Sequence, residues 1–344
     1  MRSLSQRAFN AFWDQKGPLN YALLPLSWLF RGAAFIRRAY YRANRSEFPV
    51  PIVIIGHISV GGVGKTPLVA HLAQALRLQN LNVGIILRGY KGTYATAIKE
   101  VDADSDPREV GDEAKLLFLK TQCPVMVAKK RTLAARELLK KYPNTNVILS
   151  DDGLQHYALA RQVEIAVVDA KRQFGNGFCL PAGPLRESVK RLSTCDFVVW
   201  NVSDPSITPQ DKYPWVMRNQ LSADAVSLAD YSNGTENRRT VPIEYFQGKT
   251  VHAVAGIGNP AKFFDALRAK GLNPIPHAFA DHYAFCKQDF SWQKGDPILM
   301  TEKDAVKCQK LGLSNAWIIP LEISLAGGFT GALLRKINHG QKTA

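Results

Sequence analysis

The chain offers no apolar run long enough to cross a bilayer as a helix, which takes roughly 20 residues. Its candidate, the uncharged stretch from Pro18 to Phe30, is interrupted by Pro25 and closed by Arg31. Basic residues continue beyond it with no A-x-A site, so a cleaved secretory signal is not expected. Cysteine is sparse and scattered. Cys123, Cys179, Cys195, Cys286 and Cys308 form no C-x-x-C pair, and an odd count without a leader points to reduced thiols in the cytoplasm, used as small core residues. Repeats and low-complexity tracts are absent. Acidic residues are in short supply: 29 Asp and Glu against 44 Lys and Arg leave a net charge of +15. Such an excess suits an anionic partner, whether nucleic acid, a membrane surface or a phosphorylated substrate. No nucleic-acid-binding module is recognisable, which argues against the first.

What is present begins with an uneven charge. Arg2, Arg7, Lys16, Arg31, Arg37, Arg38, Arg42 and Arg45 face only Asp14 and Glu47 in the first fifty positions. They are interleaved with Phe9, Phe12, Trp13, Trp28, Leu29, Phe30, Phe35 and Ile36. One or two helices with aromatic and Arg residues at a membrane interface fit this pattern. The alternative is a helix whose apolar face packs on the protein itself.

With 344 residues, 46% hydrophobic and 21% charged, the chain can build two globular domains. Pro51–Ile55 is a short β-branched run read as a buried strand, and Lys65 to about Leu78 follows with helical spacing of Leu68, Val69, Leu72 and Leu76. Strands are expected at Val83–Leu87, Val125–Ala128, Val147–Leu149, Ile165–Val168 and Phe197–Trp200, with helices at Gly111–Leu119 and Arg131–Lys141. This alternation predicts an α/β fold of the P-loop NTPase type: a mostly parallel sheet with helices on both faces. From about Asp204 the composition turns polar and Pro-rich, with a hairpin expected around Asn233-Gly234. A second alternation then begins at Val251. The expected divisions are 1–48 (basic amphipathic helices), 49–205 (P-loop core), 206–248 (connection) and 249–344 (a smaller C-terminal α/β domain closing the cleft).

The strongest motif runs from Gly56 to Thr66, between a predicted strand and a predicted helix. Backbone N–H groups of Ser59, Val60, Gly61, Gly62, Val63 and Gly64 can converge on phosphate oxygens, and the helix start adds partial positive charge. Lys65 can reach the β- and γ-phosphates, and the Thr66 hydroxyl can ligate Mg²⁺. The strict pattern has Gly where this chain has Ser59. A P-loop also needs an acidic metal partner on a neighbouring strand, and Asn146–Asp152 supplies one ending in Asp151 and Asp152. Gln155 and His156 follow at once. An N-cap role would explain one Asp but not both. Asp112 and Glu113 open a helix, where spacing alone reads them as dipole complements. Arg186 and Glu187 end a Pro/Gly-rich turn: a phosphate-steadying cation with a metal-shell carboxylate, or equally a surface ion pair. Asp281-His282 is by itself uninformative.

Taken in order, these motifs resemble the tetraacyldisaccharide 4′-kinase family of lipid A synthesis. The matches are Gly56–Pro67, Leu87–Gly92 (LRGYKG), Val110–Glu113 (VGDE), Ser150–His156 (SDDGLQH), Leu180–Glu187 (LPAGPLRE), Asp281–Tyr283 (DHY) and Met300–Lys307 (MTEKDAVK). The resemblance implies an ATP- and Mg²⁺-dependent kinase acting on an acylated disaccharide 1-phosphate, peripheral at the cytoplasmic face of the bacterial inner membrane. It makes Asp112 and His282 a pair near the acceptor hydroxyl. Asp151, Asp152 and Glu187, with Thr66, become candidates for metal, and Gln155, His156 and Arg186 line the site beside Lys65. It implies neither a nucleic-acid nor an obligate protein partner.

Two other P-loop classes fit less well. ParA-type membrane-associated ATPases carry a Lys five residues before the loop Lys, where this chain has Val60. A GTPase would read guanine with [NT]-K-x-D; in Met300–Asp304 the Lys is one place late.

Overall fold

Ile52–Gly56 forms β1, and its side chains alternate between two cores as strand geometry requires. Val53 and Ile55 enter one apolar cluster, Ile52 and Ile54 the other, all at most 2% exposed. The structure, a computed structural model, describes residues 12–89, 98–202, 207, 214–232 and 237–341. Among them, the larger sheet has nine strands in the order β15-β8-β7-β6-β1-β5-β2-β4-β3. Here β2 is Val83–Leu87, β3 Lys99–Val101, β4 Val125–Val127, β5 Val147–Asp151, β6 Val163–Asp169, β7 Phe197–Val202, β8 Trp215–Leu221 and β15 Leu321–Leu325. Its interior pairs are parallel, and only the edges, β3 on β4 and β15 on β8, are antiparallel. Helices cover both faces, as the alternation predicts. With β5 on one side of β1 and β6 on the other, chain order reverses at β1, and ligands of open α/β sheets bind at the carboxyl ends there.

A second sheet of six strands has the order β10-β9-β14-β13-β11-β12. Its strands are β9 (Asp224–Ser227), β10 (Thr240–Pro242), β11 (His252–Ala255), β12 (Ile275–Ala278), β13 (Ile298–Thr301) and β14 (Ala316–Ile319). β9 and β10 are antiparallel neighbours; the turn expected at Asn233-Gly234 lies outside the described residues, as do Tyr90–Gly92. The sheets do not follow the division expected along the chain. Trp215–Leu221, inside the stretch 206–248, is a strand of the larger sheet. So is Leu321–Leu325, inside 249–344, and the helix after it (Phe329–Gln341) returns Phe329, Leu333 and Ile337 to the larger sheet's core. Phe329 packs its ring 5.0 Å from Phe197 and 5.1 Å from Trp215, which is what draws the C-terminal segment back.

The helix Asp112–Thr121 is shared between the two units. Ala114 and Leu117 join the larger core, while Leu119 joins the second. At its far end Lys120 Nζ donates to both Glu302 oxygens (2.9 and 2.7 Å) and to the Leu321 carbonyl (2.7 Å).

At the N-terminus, two helices (Pro18–Ala22 and Leu24–Ala43) lie on the larger unit. Two buried polar side chains attach them. Asn20 Nδ2 donates to the Phe12 and Ala182 carbonyls (2.9 and 2.8 Å). Ser27 Oγ donates to Cys179 O (2.8 Å) and accepts from Ala182 N–H (3.1 Å). The apolar face does not pack on the protein: Trp28, Leu29, Phe35 and Ile36 are 62–72% exposed. No described helix is long and apolar enough to cross a membrane. All five cysteines are free thiols; Cys286 is exposed, contrary to the core role expected of it.

Candidate active site

The loop leaves β1 at Gly56, where a Cβ would lie 2.5 Å from Leu154 Cβ and 2.9 Å from its backbone nitrogen, so no side chain fits. It enters the helix Lys65–Arg77 through Gly64, whose φ of 87° is left-handed. Between these points the main chain is held from outside. Val60 N–H donates to Pro184 O (2.8 Å) and Arg186 N–H to Ile58 O (2.6 Å). Arg172 Nη1 donates to Val60 O (3.0 Å), and Asn201 Nδ2 to Val63 O (2.9 Å). Ser59 bridges to Leu185 with no positive φ, which is why this position does not demand glycine. Gly61 and Gly62 form the exposed tip.

Register brings the acidic strand end to the loop: β5 pairs with β1 so that Asp151 lies opposite Ile55. Thr66 Oγ1 donates to Asp151 Oδ2 at 2.9 Å. Lys65 Nζ stands 3.5 Å from Asp152 Oδ1 and 3.5 Å from each ring nitrogen of His57. The two carboxylates differ in character. Asp151 is buried, and burial, then the nearby Glu113 charge, pushes its carboxyl up to about 7. Its Oδ1 is buried without a hydrogen-bond partner. Burial would also raise Asp152, but Lys65, His57, Arg186 and Arg131 together hold it well below the usual carboxylate range. An orphaned, desolvated carboxylate oxygen beside a Thr hydroxyl fits a hard divalent cation. No cluster of three or more His, Cys, Asp or Glu ligands exists among the described residues. Mg²⁺ takes one or two carboxylates and completes its shell with water and phosphate oxygens.

Sequence reasoning missed two residues here. His57 is buried between Lys65 and Asp152 (3.3 Å to Oδ1), and burial, then Lys65, keeps its imidazole well below the ordinary value. Its signal was its place inside the loop motif. Arg131, fully buried and drawn down to about 10 by that burial, donates from Nη2 to the carbonyls of Asp151 and Asp152 (2.8 and 2.9 Å). It fixes the turn that carries both acids, and nothing local marks it.

Arg186 Nη1 reaches Asp152 Oδ2 (3.5 Å) and Gln155 Oε1 (3.4 Å). Gln155 Nε2 in turn donates to His57 O (2.9 Å) and Glu187 Oε1 (2.8 Å). The other Glu187 oxygen accepts from the Tyr157 hydroxyl and pairs with Arg191 Nε (3.4 Å). Both Glu187 oxygens thus have protein donors, which brace it beside Arg186 and Gln155. His156 lies among cations. Burial, then Arg131, Arg161, Arg37 and Arg88, pulls its imidazole down to about 3, so it belongs to an arginine-rich wall reached by the N-terminal helix.

Asp112 and His282, 170 positions apart, meet with Asp112 Oδ2 3.0 Å from His282 Nδ1. Asp112 begins the shared helix, and His282 holds a left-handed backbone (φ 62°) in the second unit. Lys303 Nζ lies 3.4 Å from His282 Nε2 and 3.2 Å from Asp281 Oδ1. The charge of the adjacent Glu113 is felt by Asp151, which puts this helix start in the neighbourhood of the end of β5.

Residues 19–338 match the family model of tetraacyldisaccharide-1-P 4′-kinases. Tetraacyldisaccharide 4′-kinase of Nitrosococcus oceani is 44% identical over 96% of this chain and 94% of that protein. The protein of the same name from Azoarcus sp. is 41% identical over 97% of this chain and 96% of its own length. Among solved structures, LpxK from Aquifex aeolicus in complex with ATP aligns with a TM-score of 0.78 at 26% identity. It covers 93% of this chain and 99% of that one. The chain belongs to the tetraacyldisaccharide-1-P 4′-kinase family.

Proposed function

We propose that this chain transfers the γ-phosphate of ATP to the 4′-hydroxyl of a tetraacyldisaccharide 1-phosphate, a step of lipid A biosynthesis. The observation that carries this reading is the joining of loop and acidic strand by the Thr66–Asp151 hydrogen bond; the Asp112–His282 contact supplies the acid–base pair an acceptor hydroxyl needs. Phosphoryl transfer asks a protein chiefly for alignment and charge neutralisation. Loop amides from Gly61 to Gly64 and Lys65 Nζ cradle the phosphates; the Val60 amide, expected to join them, is already given to Pro184 O. Thr66 and Asp151 would hold Mg²⁺, which supplies charge neutralisation on the phosphate oxygens when bound. Asp152 organises Lys65 and Arg186 instead of ligating, since its oxygens already face these cations. Arg186 is placed to steady the transferring group. Asp112 takes the proton of the sugar hydroxyl as its oxygen attacks phosphorus, and His282 orients that carboxylate.

The acceptor cannot leave a bilayer cheaply, since exposing each CH₂ to water costs about 0.8 kcal/mol. The exposed Trp28, Leu29, Phe35 and Ile36, with Arg31, Arg37 and Arg38 beside them, suit the anionic cytoplasmic face of the inner membrane. The arginine wall around His156 suits the phosphate that the acceptor already bears. A ParA-type ATPase, the other reading, would hydrolyse ATP without modifying a lipid.

Purified protein with γ-labelled ATP, Mg²⁺ and the disaccharide lipid should yield a labelled lipid. ATP hydrolysis with no label on the lipid would reject the proposal. Replacing Trp28, Leu29, Phe35 and Ile36 together by Ser should release the protein from anionic vesicles, and undiminished binding would refute the membrane role.

A further inference from the structure

The segment Met300–Lys307 contributes a helix (Glu302–Cys308) whose buried acids have structural duties. Glu302 takes Lys120, and Asp304 accepts the Gly256 N–H and the Thr301 hydroxyl. Lys303 instead ties this helix to the loop that carries His282, through Asp281. Its side chain is 23% exposed and its Nζ lies 3.4 Å from His282 Nε2. An ammonium only donates, so this contact is a hydrogen bond only when Nε2 carries no proton. The proton of a neutral imidazole then sits on Nδ1, directed at Asp112 Oδ2.

We infer that Lys303 is a positioning residue for phosphoryl transfer: it fixes His282 as the Nδ1–H tautomer, so that Asp112 is held as a hydrogen-bond acceptor facing the sugar hydroxyl. The inference rests on the reading of Asp112 as the base. One group competes. Asp281 Oδ2 stands 3.9 Å from the same Nε2 and would accept from an Nε2–H. That distance is beyond hydrogen-bond reach, and Asp281 Oδ1 is already engaged by Lys303 at 3.2 Å. Lys303 therefore does two things at once: it occupies Nε2 and neutralises the carboxylate that would draw the proton there. Without it, Asp281 can close on Nε2–H, leaving Nδ1 bare against the Asp112 carboxylate and the pair broken. The left-handed backbone of His282 is the kind of local cost that persists where surrounding contacts hold a side chain to a task.

The test is nitrogen NMR of ¹⁵N-histidine-labelled protein, with the His282 signals identified by their loss in His282→Gln. The wild-type spectrum should show Nδ1 protonated and Nε2 bare. Lys303→Met should move the proton to Nε2 and lower kcat by about tenfold or more, a share of the roughly 10²–10⁴ that a general base provides. The KM for ATP should stay unchanged. Lys303→Arg, which also only donates, should keep the tautomer and most of kcat. A wild-type Nε2–H signal would overturn the inference with no variant needed. So would a Lys303→Met protein that raises KM for ATP while keeping tautomer and kcat, since Lys303 would then serve the nucleotide. Full turnover by Asp112→Asn would instead refute the base on which the inference rests, while leaving the tautomer result standing.

Discussion

The two carboxylate centres of this site are built in opposite ways. Asp151 and Asp152 leave one strand, register against β1 beside the loop, and are bound to it by Thr66 and Lys65. Their hydrogen-bond and ion-pair partners among the described residues all lie in the larger unit. Asp112 depends on a histidine from the second unit, 170 residues away, and that histidine on Lys303. The helix bearing Asp112 is gripped by the second unit at both ends, through His282 at its start and Glu302 near its finish. A donor site assembled within one sheet is pre-organised by folding alone. On the proposed assignment of Asp112 to the acceptor, its site is assembled across two units and exists only while both hold their relative position, so the reaction rests on one rigid and one composite half.

This contrast makes graded predictions. The largest effect is expected from Lys65→Ala, which removes the cation at the transferring phosphate: kcat should fall by about 10³-fold or more, and ATP binding should weaken with it. Asp112→Asn should cost about 10²–10⁴ in kcat with ATP affinity preserved; isothermal titration separates the two, and equal loss of ATP binding in both variants would break the comparison. Replacing the distant grip, Lys120→Met together with Glu302→Gln, should lower kcat by about tenfold with an unchanged Kd for ATP, because it loosens only the composite half. An unaltered kcat would show that the shared helix needs no second anchor.

The smallest effect is on stability. His156 is held neutral down to about pH 3, whereas in the unfolded chain it takes a proton near 6.5. Within that window the unfolded state binds the extra proton, so stability falls as pH drops. Asp151, raised to about 7 from 3.8, acts in the reverse sense across its own window, since there the native state holds the proton. His156→Gln removes only the first slope. Its urea midpoint should decline less between pH 6.5 and about pH 5 than that of the wild type, by about 1 kcal/mol in free energy.

The donor half was largely legible in the sequence because its chemistry is local. A strand, a Gly-rich turn and a Lys-Thr helix start are contiguous, and the acid pair ends another strand. The composite half was not. Spacing alone makes Asp112 a dipole complement, and only the resemblance paired it with His282. Lys303 and Arg131 act across turns whose geometry no local pattern reveals. The partners of Glu187 were not legible either, because proximity to Arg186 says nothing of Tyr157, Arg191 and Gln155, which engage its oxygens. In the fold, Leu321–Leu325 falls inside the stretch expected to form the C-terminal domain, 249–344. Which sheet edge it joins is decided by Phe329 packing against Phe197 and Trp215, information that lies outside the strand itself.

The segment from Cys179 to Arg186 is tied on one side to Asn20 and Ser27 and on the other to the main chain at Ile58 and Val60. Anyone cropping the front of the chain to obtain a detergent-free protein for inhibitor screening would therefore be altering the nucleotide pocket they meant to target. A better-behaved reagent would keep both anchors and make only the outward aromatic and aliphatic side chains polar.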